Sequence, residues 1–471
     1  MKRRDFLASS LGLLAAGTVP GCDDHGAARM PKPPAATTGP DGKRLIPWQN
    51  WSGYQHCAPA SRLAPASVDE LAELLRKSPA PIRPVGAGHS FTPLVPTEGT
   101  LVSLRNFEGL ISHDAAALTA TFGAGTKLGQ IGEALHGIGQ ALPNMPDVDE
   151  QSLAGAISTA THGTGQALGA MHSYVTALKL VTPRGEVLTC SRTNNAQIFD
   201  AARVSLGSLG VITEITLQNV PTQNLKRRVW LEPLESLIER FDELAAANHS
   251  FEMYYLPFCD SGFAISINPT SDPVQPRGAD QDNDAVMDMK GLRDVLDWWP
   301  GMRRWLMNKS TEGYEPEESV DVGYRIFPSS RAVRFNEMEY HLPREQLMPT
   351  LKKVRETLEA RHPEIFFPVE IRVVKGDDAW LSPFSGHETS GSIAVHHYHQ
   401  EDPLPYFASI EPLYQPPHMN GSRPHWGKMN TLGAKDFAQR YPRWRDFLEV
   451  RAALDPENKM LNPYLKKVFG L

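Results

Sequence analysis

Three glycine-rich turns in the first half of this chain restrict its fold more than any other feature: Val85-Gly86-Ala87-Gly88-His89-Ser90, the stretch 155–165, and Gly207-Ser208-Leu209-Gly210. Each bares backbone N–H groups with no side chain in front of them, and the second adds the hydroxyls of Ser158, Thr159, Thr161 and Thr164. Donors grouped in this way can cradle an extended anionic ligand. A fourth stretch, Gly123-Ala124-Gly125, follows a strand and precedes a helix. Its next glycine is Gly129, however, and residues 143–146 offer no acidic side chain for a ribose, so the dinucleotide-binding fingerprint is not met.

Around these turns the pattern is one of short strands and few helices. Ser67-Val68-Asp69-Glu70 reads as a capping box opening a helix through Leu71, Leu74 and Leu75. Strands are expected at 81–85, 101–104, 118–122 and 211–217, a helix at 128–138, and a hairpin from 173–182 and 185–189. After Val220-Pro221 the rhythm changes. Leu234, Leu237, Ile238, Phe241 and Leu244 lie at helical spacing between strand-like segments, and Leu347, Leu351, Val354 and Leu358 repeat the arrangement. Two β-α-β units of similar size predict a sheet with helices on one face, hence an α+β fold. The expected divisions are 1–21, 22–45, 46–222 and 223–471. The Trp-rich stretch with Trp298, Trp299 and Trp305 is expected to be a peripheral helix on the second domain, with a membrane-contacting helix as the other reading.

Composition narrows the function classes. Lys and Arg number 47 against 54 Asp and Glu, with no basic run able to track a phosphate backbone, so no nucleic-acid partner is expected. Four cysteines (Cys22, Cys57, Cys190, Cys259) in 471 residues make no disulfide framework, and no C-x-x-C pair suggests a metal. At the N-terminus, Lys2, Arg3 and Arg4 precede an apolar run at 7–19, the pattern of an export signal. Arg3-Arg4-Asp5-Phe6-Leu7 resembles the bacterial twin-arginine signal, and Val19-Pro20-Gly21-Cys22 resembles a lipobox whose Cys22 would be acylated. Both imply a periplasmic protein, with a lipid anchor to a membrane if Cys22 is modified.

Taken together, Pro84 to Ser90, the segment 152–165 and Pro424-His425-Trp426-Gly427-Lys428 resemble the sugar-lactone and alditol oxidases of the vanillyl-alcohol-oxidase flavoprotein superfamily. The resemblance implies a two-lobed PCMH-type FAD-binding domain and a cap domain whose antiparallel sheet, covered by helices, roofs the flavin. It implies that Val85, Gly86, Ala87, Gly88, His89 and Ser90 hold FAD, with Gly155, Ser158, Thr159, Thr161, His162 and Gly163 from the second turn. Val211 and Ile212, after the third turn, complete the cofactor side. His89 is the position that bonds covalently to the flavin in many such proteins; the other reading is a hydrogen bond to noncovalent FAD.

On the substrate side, period-two alternation in 367–373 sends Glu370 and Arg372 to one face and Phe367, Val369, Ile371 and Val373 to the other. Read alone, that pair is a structural ion pair or part of a site. The resemblance implies that Glu370, Arg372 and Lys428 are catalytic, and that Ser152, His396 and Tyr398 contact substrate. Ser152 could instead serve as a turn or helix cap. His397 and His399, with nearby His387 or Glu388, lack a third ligand in register, so no metal is expected. The implied activity is FAD-dependent oxidation of a carbinol in a small polyhydroxy substrate, with oxygen as acceptor. The rival readings are a dehydrogenase passing electrons to a quinone or cytochrome, and an exported binding protein with a degenerate site.

Overall fold

The computed structural model describes residues 34–39, 42, 44–45, 47–278 and 282–471; the expected export signal and Cys22 lie outside the described residues. Local signals set the first helix. The Ser67 hydroxyl accepts the Glu70 N–H at 3.1 Å, and the Ala66 N–H donates to the Glu70 carboxylate at 2.7 Å, so α1 (Val68–Lys77) starts at its cap and buries Leu71, Ala72 and Leu75. Strands β1 (Ser61–Leu63), β2 (Ile82–Val85) and β3 (Thr100–Ser103) form a parallel sheet ordered β1-β3-β2. Strands β4 (Leu110–Asp114), β5 (Thr119–Gly123), β6 (Val175–Val181), β7 (Val187–Ser191) and β8 (Val211–Gln218) form an antiparallel sheet ordered β7-β6-β8-β5-β4. Helices α2 (Leu128–Gly137) and α3 (Leu153–Ser158) lie between β5 and β6 in the chain. These sheets are the two lobes of the first half.

The second half is organised by one eight-stranded antiparallel sheet. Its strands are β9 (Asn224–Pro233), β10 (Ser250–Tyr255), β11 (Ser261–Thr270), β12 (Glu317–Val322), β13 (Phe335–Pro343), β14 (Val369–Lys375), β15 (Thr389–Tyr398) and β16 (Arg423–Pro424), in the order β12-β9-β11-β10-β14-β15-β13-β16. Helix α4 (Leu234–Ala247) joins β9 to β10. Helices α5 (Asp282–Leu296) and α6 (Pro300–Thr311) precede β12, and α7 (Leu347–Arg361) joins β13 to β14. Each expected β-α-β unit gains a fourth element, β11 or β15, which inserts between its first two strands, and the two units meet along β10 and β14. Alternation then divides the sheet. Phe251, Met253, Tyr255, Met338, Tyr340, Val369, Ile371 and Val373 bury in one core with Leu237 and Phe241 of α4 and Leu351 and Val354 of α7. Each such side chain contributes about 1.5–3 kcal/mol. The opposite face carries Glu252, Tyr254, Glu337, Glu339, Glu370 and Arg372, and that face is turned to a cavity.

After the sheet, the 223–471 half, expected as the cap, also reaches the first lobe. Helices α8 (Ala434–Arg440), α9 (Trp444–Leu454) and α10 (Pro463–Phe469) follow the sheet, and the connection between α9 and α10 returns to the first lobe. The Ile82 N–H donates to the Lys459 carbonyl at 2.7 Å, and the buried Arg83 guanidinium donates to the carbonyls of Leu94, Leu206 and Met460. Amphipathic spacing shows that a helix buries one face; it does not show against which domain. Helices α5 and α6 pack on the cap through Met289, Leu292, Leu296 and Met307, while Trp298, Trp299 and Trp305 stay 68%, 48% and 58% exposed. Among the described residues, no helix is long and apolar enough to cross a membrane.

Candidate active site

A cavity of about 390 Å³ lies between the glycine turns and the polar face of the cap sheet. The His89 turn is fixed from below. The Trp51 N–H donates to the Gly88 carbonyl at 2.8 Å, and Asn50 Nδ2 donates to the Ser90 carbonyl at 3.0 Å. Gly88 has φ +75°, the left-handed region that favours glycine, and a Cβ there would also sit tightly against Trp48 at 3.3 Å. The His89 ring stacks on Trp51 with centroids 5.5 Å apart. Burial, with Lys428 adding to it, pushes the His89 imidazole down to about 4, leaving it neutral at physiological pH. At Gly86 a Cβ would fall 1.9 Å from Ser152 Oγ. Ser152 makes no capping hydrogen bond to α3, so its hydroxyl remains on the cavity wall.

Val85, Gly86, Ala87, Gly88, His89 and Ser90 line the cavity, as do Ser152, Gly155, Ser158, Thr159, Thr161, His162 and Ile212. This cradle, kept open by residues without Cβ atoms and edged by small hydroxyls, suits the phosphates and flat ring of FAD. Two of the expected cofactor residues, Val211 and Gly163, do not line the cavity. Val211 and Ile212 are both buried in the core, and of the two only Ile212 also lines the cavity. Gly163 is absent from the wall: its carbonyl accepts the His162 Nδ1–H at 2.8 Å, and a Cβ on it would meet the Met145 carbonyl at 2.4 Å.

Glu370, Arg372, Lys428 and His396 line the same cavity. Arg372 is held by three carboxylates: Glu370 in a very short ion pair, Glu252 at 2.7 Å and Asp147 at 2.8 Å. Arg331 pairs with Asp147 at 2.8 Å, and the Tyr254 hydroxyl donates to Glu370 at 2.8 Å. Burial pushes Glu370 up to about 8. Arg372 opposes this, but Asp147, Glu252 and Glu337 reinforce it. Burial also disfavours ionisation of Asp147, yet Arg372, Arg331 and Arg227 together hold it below the usual carboxylate range. Lys428 pairs closely with Glu337 and lies 5.1 Å from the Phe91 ring centre. His396 Nδ1 donates to the Pro368 carbonyl at 3.1 Å, and burial keeps the ring neutral, so Nε2 offers a lone pair 3.7 Å from Glu337. Tyr398, expected as a substrate contact, does not line the cavity. At the end of β15 it packs on Phe366 at 5.8 Å, with Lys290 over its ring at 5.4 Å.

Sequence reasoning missed Asp147, Glu252, Tyr254, Arg331, Glu337 and Glu339. Glu252 and Tyr254 alternate with Phe251 and Met253, and Glu337 and Glu339 alternate around Met338, so polar residues at period two inside buried strands were an available signal. Asp147 and Arg331 lie in loops and gave none.

The profile of the D-arabinono-1,4-lactone oxidase family matches residues 215–468, and that of an FAD-binding domain matches 59–191. The L-gulono-1,4-lactone dehydrogenase of Mycobacterium tuberculosis is 34% identical over 435 residues, covering 90% of this chain and 99% of that protein. The L-gulonolactone oxidase of Bos taurus is 30% identical, covering 91% and 99%. A solved cholesterol oxidase from B. sterolicum superposes with a TM-score of 0.73 at 17% identity, over 90% of this chain and 96% of that one, a likeness of fold alone.

Proposed function

Because the chain belongs to the D-arabinono-1,4-lactone oxidase family and carries an FAD-binding domain, we propose that it oxidises a carbinol of a sugar lactone or alditol in the cavity beneath its cap sheet. The observation that carries this reading is that His89, from the glycine turn, and the Arg372 and Lys428 cations, from the cap half, line one cavity. FAD, when bound, supplies the two-electron acceptor for the substrate C–H.

The chain's own groups handle charge and position. Arg372 and Lys428 are cations fixed before substrate arrives, so they stabilise alkoxide character as it develops and lower the substrate hydroxyl's pKa. Ser152 and the His396 Nε2 lone pair orient further hydroxyls. Glu370, pushed up to about 8 by burial, becomes a proton acceptor as it ionises. Flavin reduction is therefore expected to accelerate as pH rises through about 8, and Glu370→Gln should flatten that limb in anaerobic stopped-flow measurements. A wild-type profile flat from pH 6 to pH 9 would remove Glu370 from this role.

We read His89, a neutral imidazole on the cavity wall, as the group bonded covalently to the cofactor. On acid precipitation, flavin fluorescence should stay with the wild-type chain and pass wholly to the supernatant for His89→Ala. Flavin lost equally from both would mean noncovalent binding. We take oxygen as the acceptor. The mycobacterial relative's name as a dehydrogenase favours a second reading, a quinone or cytochrome, and comparing reoxidation by air with reoxidation by a dye separates the two. We further propose export through the Arg3-Arg4 signal with lipid on Cys22, which a mass measurement of the mature N-terminus tests.

A further inference from the structure

Behind the cavity wall, His162 from the second glycine turn meets Glu339 and His341 from β13. Their ligand atoms all lie within 4.8 Å of one another, and all three residues are buried. The hydrogen bonding there is incomplete in a specific way. His162 Nδ1 donates to the Gly163 carbonyl, which leaves Nε2 facing a Glu339 oxygen at 2.8 Å. If the imidazole is neutral, that nitrogen and the carboxylate oxygen are both acceptors, and two acceptors in contact require a cation between them. A proton on His162 would meet that need, but it would leave His341 unexplained. Both His341 ring nitrogens are buried without a hydrogen-bond partner, while the ring packs 5.0 Å from His162 and 4.4 Å from Phe384. An imidazole buried in this way forfeits the hydrogen bonds it makes in water.

We propose that His162, Glu339 and His341 form a site for a zinc-class divalent cation. Two imidazoles and one carboxylate are a donor set suited to that ion, with a fourth position left for water. The supporting contacts have the form metal ligands need. The Gly163 carbonyl fixes the His162 tautomer so that Nε2 coordinates, and Ser392 Oγ donates to the Glu339 carboxylate in a very short hydrogen bond. His162 and Glu339 also line the cavity, which gives the ion an entry path. The ion would clamp the cofactor-binding turn to the cap sheet. Sequence spacing could not reveal this site, because its ligands come from segments 177 residues apart. It is separate from His387, His397 and His399.

The test uses the purified holoprotein, stripped with a chelator, incubated with zinc chloride, desalted and measured for metal. Wild type should retain about one zinc per chain, and its thermal unfolding midpoint should rise with zinc. His341→Ala and Glu339→Gln should each lose at least ~90% of the retained metal. The visible flavin spectrum of His341→Ala reports folding, and His341→Gln, closer in size, replaces it if that variant does not fold. A wild-type protein that keeps no zinc would overturn the proposal, as would zinc retained equally by the folded variants.

Discussion

Lys428→Ala is expected to slow reduction of the bound flavin by substrate about 10²–10³-fold while FAD stays bound, the scale of losing one preorganised donor to a developing oxyanion. The ammonium is held in place from two sides. Glu337 on β13 pairs with it, and Phe91, two residues beyond His89, lies beneath it and donates its N–H to the Gly427 carbonyl at 2.6 Å. Truncation also strands Glu337, a buried carboxylate, so stability should fall by about 3–5 kcal/mol. The double variant with Glu337→Gln separates the effects: it should recover stability and leave the rate low. A single-turnover rate within about threefold of wild type would show that Lys428 does not stabilise the transition state.

Arg372→Met removes the guanidinium shared by Glu370, Glu252 and Asp147, and is expected to cost about 3–5 kcal/mol of stability and at least as much rate as the lysine variant. The loss should depend on pH. Without Arg372, and Asp147 aside, which loses one of the arginines holding it low, Glu370 and Glu252 have folded-state pKa values further above those of the unfolded chain. Their contribution is then present at low pH, where they hold protons, and is lost as pH rises through the folded values. Urea unfolding should therefore place the variant nearer wild type at pH 6 than at pH 9. A penalty under about 1 kcal/mol at both would mean that the three carboxylates do not depend on this guanidinium.

What the sequence disclosed here was mostly local. The α1 cap, the glycine turns and the alternation that sends Glu370 and Arg372 to one face depend on residues a few positions apart, and all appear in the structure. What it hid was long-range. Asp147 and Arg331 reach Arg372 and Asp147 from loops with no periodicity to mark them. The chain after α9 returns to Arg83 through a hydrogen bond spanning 377 residues. Tyr398 shows the limit of alternation itself: it shares a face with His396, but His396 lines the cavity while Tyr398 packs on Phe366.

The most direct test of the account is to purify the protein and mix it, without oxygen, with a panel of sugar 1,4-lactones and alditols while following its visible spectrum. A yellow protein whose flavin absorption bleaches with at least one of these substrates is the predicted result. A colourless chain, or a yellow one whose spectrum none of them changes, would contradict it.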